Sequence, residues 1–264
     1  MSDLDAIEAS QAPAKTSTWL SPPAKLIICA LFIQAWLVIL HFRLAGHATA
    51  NVRVIGQAFD LMRESSIPTA FAALQAMIAC VIAGIIARVA RKNGSTKRRW
   101  LGWLGVMAIF LIIAADDAAA IHERVNAIVS LELIERLQYP SYPWHVIFVP
   151  FFVVALLVTL WTVRADLTLT LAQKISLVVA LLCFALSQSF DFAEGWEMMT
   201  RTLGDPIPTQ LTQMMLVEEI MEMIGTTLFI YVFLTTLLHN LPQLFPSMPR
   251  STKTEPTKSL NRIS

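Results

Sequence analysis

Six long apolar runs constrain the fold of this chain more than any other feature. Each approaches the roughly 17–25 residues that a helix needs to cross the hydrocarbon core of a bilayer. Open strands cannot satisfy their backbone hydrogen bonds in lipid, so runs of this kind form helices. We therefore predict an all-α membrane protein, with a bundle of six transmembrane helices within residues 25–43, 66–88, 100–123, 145–164, 174–197 and 216–239.

The composition supports the membrane class and excludes nucleic acid as a partner. Charged residues make up 15% of the chain and hydrophobic residues 56%, whereas soluble proteins carry about 25% charged residues. The net charge of +1 provides no field that would attract nucleic acid. The expected partner is the lipid bilayer, and nothing in the sequence indicates a protein partner. We expect Cys29, Cys80 and Cys183, which all lie in apolar runs, to be small buried side chains without disulfides.

The distribution of Lys and Arg predicts the orientation of the chain. Basic residues are concentrated in segments 88–99 and 164–174 and in the C-terminal tail, and such segments stay on the cytoplasmic side. We predict a multipass protein of the bacterial inner (plasma) membrane with both termini in the cytoplasm. Its parts are then a cytoplasmic N-terminal tail (1–21), the six-helix transmembrane domain (22–241) and a disordered cytoplasmic C-terminal tail (242–264).

Two of the predicted outer loops have a helical pattern of apolar residues. Such a pattern is typical of short amphipathic helices that lie in the interface, although ordinary interfacial loops are an equally good explanation. We predict short interfacial helices in these loops, with apolar faces formed by Val52, Ile55, Phe59 and Met62 and by Ile128, Leu131, Ile134 and Leu137.

Acidic residues on three predicted spans lie at one depth. Asp116, Asp191 and Glu222 are each 17 residues from the basic residue at the other end of their span. At a rise of 1.5 Å per residue this separation is roughly 25 Å. The hydrocarbon core is about 30 Å thick, so the three carboxylates should lie just inside its outer edge. We therefore expect the three helices to present their acids to one another.

Such crowded carboxylates repel one another in a poorly solvated region unless something positive binds them. Carboxylates with a few imidazoles are typical ligands of divalent metals, and Fe, Mn, Mg, Ca and Zn all stay open here. If the third span is one helix, Asp116 and Glu123 share a face. The predicted metal ligands are Asp116, His122, Glu123, Asp191, Glu194, Glu219 and Glu222. Supporting or further ligands are expected among Asp117, Glu197, Glu218, His145 and His41.

These features favour a metal-dependent membrane enzyme that acts on a lipid-like or periplasmic small molecule. A proton- or cation-coupled transporter and a non-catalytic scaffold or assembly subunit stapled by metal are the alternatives. The inner halves of the acidic spans are almost purely apolar, which favours a one-sided pocket over a channel. Phosphate-binding loops and the usual hydrolase motifs are absent from the sequence, so the chemistry of those classes is not supported.

Overall fold

The computed structural model describes residues 21–44, 50–128, 141–165, 169–200 and 208–240. Throughout these residues the regular structure is helical, so the predicted all-α fold is confirmed there. In chain order the helices are α1 (Pro22–Leu44), α2 (Ala50–Ala58), α3 (Ile67–Lys92), α4 (Lys97–Ala119), α5 (Ile121–Ile128), α6 (His145–Ala165), α7 (Leu171–Thr200) and α8 (Thr209–Asn240).

Five of these helices are long and apolar enough to cross a membrane, namely α1, α3, α4, α7 and α8. They correspond to five of the six predicted spans. The fourth predicted span corresponds to α6, whose described apolar stretch, Phe148–Thr162, is shorter than the other five. The structure therefore establishes five candidate membrane-spanning helices.

Two helix pairs and a shared aromatic cluster form the core. Helix α3 packs along α4, α7 packs along α8, and α8 joins the pairs by packing against α3. Rings from α4 and α8 meet edge to face at the centre: Trp103 and Phe110 lie 5.2 Å and 5.5 Å from Phe233 between ring centroids. All three rings are buried. Such pairs add about 0.5–1.5 kcal/mol each beyond the area they bury.

Small residues let α3 approach its neighbours closely. Ala76, Ala79, Ala83 and Ala87 are all buried and recur every three or four residues. In lipid, helices associate through packing of small residues and hydrogen bonds, because the surrounding tails are as apolar as leucine. The alanine stripe therefore provides the close contact that this environment requires.

A buried polar cluster joins α1, α3 and α8. The amide of Gln34 donates to Thr227 Oγ1 at 2.8 Å and to the carbonyl of Met223 at 2.9 Å. Gln75 donates to the same Thr227 hydroxyl at 2.7 Å. These bonds satisfy both amide nitrogens in an apolar interior, whereas the amide oxygen of Gln34 has no hydrogen-bond partner among the described residues. They hold α1 against the rest of the bundle.

The remaining predictions have mixed outcomes. Cys80 and Cys183 are buried and free, but Cys29 is exposed on α1, so the expectation of three buried cysteines is wrong for Cys29. Helix α2 covers part of the first predicted amphipathic segment. The second segment lies almost entirely in residues 129–140, outside the described residues, as do the tails 1–20 and 241–264.

Gly195 lets α6 and α7 touch at one end of the bundle. A Cβ atom added at this position would overlap Ser141 Oγ and lie 2.8 Å from the backbone nitrogen of Tyr142. Both residues belong to the short segment before α6. Glycine therefore permits this close contact, because a side chain here would force the segment or α7 to shift.

We expect Gly195→Ala to destabilise the protein by about 1–3 kcal/mol, the usual cost of overpacking a close contact. Thermal unfolding of the detergent-solubilised protein measures the effect. Leu182→Ala, at an exposed position of the same helix, is the control and should change the melting temperature little. An unchanged melting temperature for Gly195→Ala would contradict the close contact.

Candidate metal centre

One end of the bundle encloses an acidic cavity of about 90 Å³. Helices α4 and α7 end here and α3, α6 and α8 begin here, so we call it the acidic end. Acids from α4, α7 and α8 meet around this cavity, as the depth argument predicted for Asp116, Asp191 and Glu222. The ionisable residues in its wall are Glu64, Asp116, Asp117, His122, Asp191, Glu218, Glu219 and Glu222.

The predicted continuous third span is broken at Ala120. This residue has φ 47° and ψ 52°, the left-handed conformation, and it separates α4 from α5. The break lets His122 return to Asp116: its backbone N–H donates to Asp116 Oδ1 at 2.8 Å, and Nδ1 lies 3.1 Å from Oδ2. Asp116 thus caps the start of α5. The prediction that Asp116 and Glu123 share one face of a single helix is therefore wrong.

Left-handed backbone at Ala120 costs an L-residue roughly 1–2 kcal/mol, and a β-branched residue more. We expect Ala120→Gly to keep or raise the melting temperature and Ala120→Val to lower it. Thermal unfolding of both variants in detergent measures this difference. Equal melting temperatures for the two variants would show that the turn is not left-handed.

His122 is held by charge as well as by geometry. Burial alone would lower the pKa of the imidazole, but the hydrogen bond with Asp116 and the negative charges of Asp116, Glu64 and Asp191 raise the pKa to about 9. In the absence of a cation, His122 is therefore protonated at neutral pH. A metal ion bound to this ring would have to displace that proton.

This shift predicts the pH dependence of stability in the metal-free protein. A pKa raised above its unfolded value of about 6.5 stabilises the fold fully below that pH, and the stabilisation is lost as the pH rises through about 9. We expect chelator-treated wild type to melt above Asp116→Asn at about pH 6 and to lose that advantage by about pH 10. Glu197→Gln, at an exposed carboxylate, is the control. An advantage that stays constant with pH would contradict the pairing.

One set of side chains that could share a metal ion consists of Glu64 and His122 in the cavity wall and the exposed Glu123 beside it. One atom from each side chain lies within 4.8 Å of the others, near enough to share one ion. Glu64 Oε2 is buried and has no hydrogen-bond partner among the described residues. Burial raises the pKa of Glu64 and the positive charge of His122 opposes that rise. A buried carboxylate oxygen with no donor is suited to bind a cation.

Sequence reasoning missed Glu64 because it assigned the residue to a loop. Ser65 next to it has φ 62°, and Ser66 caps α3 by accepting the Thr69 N–H at 3.2 Å. The signal was available: Glu64 lies just before the second span begins, at the same end as the other acids. Ser65 and Ala120 are the non-glycine residues with positive φ in the described chain. Strain of this kind often marks functional sites.

His41, predicted as a further imidazole ligand, holds this loop instead. The ring is buried at the end of α1, and its Nδ1 accepts the backbone N–H of Leu61 at 3.2 Å. Because Nδ1 accepts that bond, its 3.4 Å approach to Asp60 Oδ1 is not a second hydrogen bond. His41 is not in the cavity wall, and it fixes the segment that leads to Glu64.

His145 fixes the orientation of Asp191 from outside the cavity. Its Nε2 lies 3.1 Å from Asp191 Oδ2, and its Nδ1 lies 3.2 Å from Ser141 Oγ. The imidazole is 1% exposed and stacks on Trp144, with ring centroids 4.2 Å apart. His145 is therefore outside the cavity wall, but it holds a carboxylate that lines it.

The other predicted residues of α7 and α8 lie in the cavity wall, in a buried contact outside it, or on the surface. Glu222 accepts a hydrogen bond from Ser187 Oγ at 2.7 Å in the cavity wall. Glu194 lies outside that wall and accepts the hydroxyl of Tyr142 at 2.8 Å, where burial and Glu194 raise the pKa of the phenol. Glu197 is exposed. Sequence spacing could not separate these cases, because it does not show which side of α7 the 141–145 segment covers.

The fold and the site define the class of this molecule: a helical membrane-type protein with two carboxylates and an imidazole at one end that could hold a metal ion. The chain belongs to a family described as a domain of unknown function, DUF8692, which matches residues 26–237. No curated protein and no solved structure matches it.

Proposed function

We propose that this protein binds a divalent metal ion at the acidic end. The observation that carries the proposal is the set formed by Glu64, His122 and Glu123, whose ligand atoms lie within 4.8 Å of one another. The buried and unpaired Oε2 of Glu64 is the second support. Two carboxylates and one imidazole are ligands that iron, manganese and zinc accept, and the surrounding oxygen atoms also suit magnesium or calcium.

The remaining acids of the cavity extend this site. Asp116 holds His122, His145 holds Asp191, and Ser187 holds Glu222. Carboxylates supported in this way keep their orientation while a cation exchanges water. Asp117, Glu218 and Glu219 complete the wall. Their carboxyl oxygens are further ligands that an ion in the cavity could use.

The same proposal includes six crossings of a bacterial inner membrane, with the acidic end outside and both termini in the cytoplasm. Helix α6 has 21 residues, about 32 Å at 1.5 Å per residue, which is enough for a hydrocarbon core about 30 Å thick. The opposite end carries the basic group Arg88, Arg91, Lys92, Lys97, Arg98 and Arg99. Such a group stays cytoplasmic. The short helices α2 and α5 then lie near the outer interface.

A metal in this cavity would support hydrolysis or oxidation of a small molecule. A bound divalent ion lowers the pKa of a coordinated water and polarises oxygen groups of a substrate. The packed rings of Trp103, Phe110 and Phe233 lie between the acidic cavity and the basic end. That apolar core favours one-sided chemistry over a path for ions across the bundle.

Metal content of the purified protein tests the proposal. We expect about one equivalent or more of a divalent metal by elemental analysis after loading and desalting in detergent. Glu64→Gln should weaken binding by at least about tenfold, because even supporting residues of metal sites contribute 10–100-fold.

The matched control is Glu197→Gln, which removes an exposed carboxylate from the same end of the bundle. It should keep the wild-type metal content. Wild type that retains none of iron, manganese, magnesium, calcium or zinc after loading would overturn the proposal. Equal retention in the two glutamine variants would remove Glu64 from the site.

A further inference from the structure

A second cavity of about 230 Å³ lies next to the acidic cavity and is almost wholly apolar. Its walls come from α4, α6, α7 and α8. We call it the apolar groove, and its walls include Val153, Ala155, Leu156 and Ala185. Val153 and Leu156 are 51% and 43% exposed, so the groove opens to the surroundings of the bundle.

The apolar groove adjoins the acidic cavity. Ile113, Phe152, Phe184 and Gln188 line both. Two neighbouring spaces therefore have different chemistries: carboxylates and an imidazole line the acidic cavity, and hydrocarbon walls line the groove. A ligand that fills both parts must itself be polar at one end and apolar at the other.

The path of α6 creates the groove. At the acidic end α6 is held against α7 by His145 and Asp191. Towards the basic end it is held against α4, where a Cβ atom on Gly102 would lie 2.5 Å from Thr162 Oγ1. Arg98 also lies over the Trp161 ring there, 5.2 Å from its centroid. Between these contacts α6 leaves α7, and the space that opens is the groove.

We propose that the apolar groove binds the hydrocarbon chain of a single-chain membrane amphiphile whose oxygen-bearing head, a carboxylate or phosphate, lies in the acidic cavity. This inference rests on the proposed function, because an anionic head would be repelled by the cavity unless a metal ion neutralised it. The substrate class of the site is then a molecule already dissolved in the bilayer. It reaches the cavity sideways through the opening between α6 and α7.

Photolabelling of the full chain tests this inference. The probe is a 16-carbon fatty acid with a diazirine at mid-chain, added to metal-loaded protein in detergent, with labelled peptides identified by mass spectrometry. We expect labelling of α6 and α7 residues in the groove. Ala155→Trp, which fills the groove, should reduce that labelling at least fivefold. Val154→Trp, on the neighbouring exposed side of α6, should not reduce it.

A second pair of variants keeps the test decisive if Ala155→Trp does not fold. Ala185→Phe fills the groove from α7, and Leu186→Phe adds the same bulk at an exposed position outside the groove. Only the first should lose labelling. Equal labelling of both variants, or labelling spread over all exposed helix faces, would overturn the inference.

Chelation distinguishes this inference from the metal proposal. Removal of the metal should reduce groove labelling, because the head then meets uncompensated carboxylates. If the metal-loaded protein shows no preferred labelling of the groove, binding of the amphiphile is contradicted and binding of the metal is not. If the protein retains no metal and the groove is still labelled, both the metal site and the binding of the head to a metal ion are contradicted. Groove labelling that is unchanged by chelation would also overturn the coordinated head.

Discussion

Mutual repulsion among carboxylates that are withdrawn from bulk water is the constraint on which the rest of the acidic end depends. Asp116, Asp191 and Glu222 reach one cavity from three helices whose other faces are apolar. In such surroundings each negative charge is poorly solvated and raises the free energy of the others. Despite this repulsion, the packing of α4, α7 and α8 brings these carboxyl groups together. A bound cation would convert this repulsion into attraction to a common centre, and this is why we read the cavity as a metal site rather than as the ends of three independent helices.

Three histidines at the acidic end have different tasks, although their sequence context is similar. His41 fixes the segment that leads to Glu64, His145 orients Asp191 from outside the cavity, and His122 faces the cavity itself. The first two stabilise backbone and carboxylate positions through short-range contacts. A site supported in this way holds its ligands at defined positions before any ion binds, which reduces the ordering that binding requires.

The sequence predicted what depends on regular helix geometry. The fixed rise per residue of a helix was sufficient to predict that Asp116, Asp191 and Glu222 lie at one level. Prediction from the sequence failed where a single residue or a tertiary contact determines the local structure. No glycine in the sequence indicates the helix break at Ala120. The break depends on the hydrogen bond between Asp116 and the backbone of His122. Glu64 was missed because its position depends on His41 and on the cap at Ser66. The side of α7 that faces the cavity depends on residues 141–145, which spacing on α7 cannot reveal.

The polar and apolar cavities together narrow the kind of chemistry that this family could perform. An acidic cavity alone would suit a soluble ion or a small periplasmic solute. The adjoining apolar groove, which shares Phe152, Phe184 and Gln188 with that cavity, adds a space suited to a hydrocarbon chain. The groove opens beside α6, whose apolar stretch is shorter than those of the five candidate membrane-spanning helices. A ligand entering there would leave lipid without crossing water, so the free energy of its chain changes little on binding. Most of the selectivity would then come from the head, which meets the charged groups.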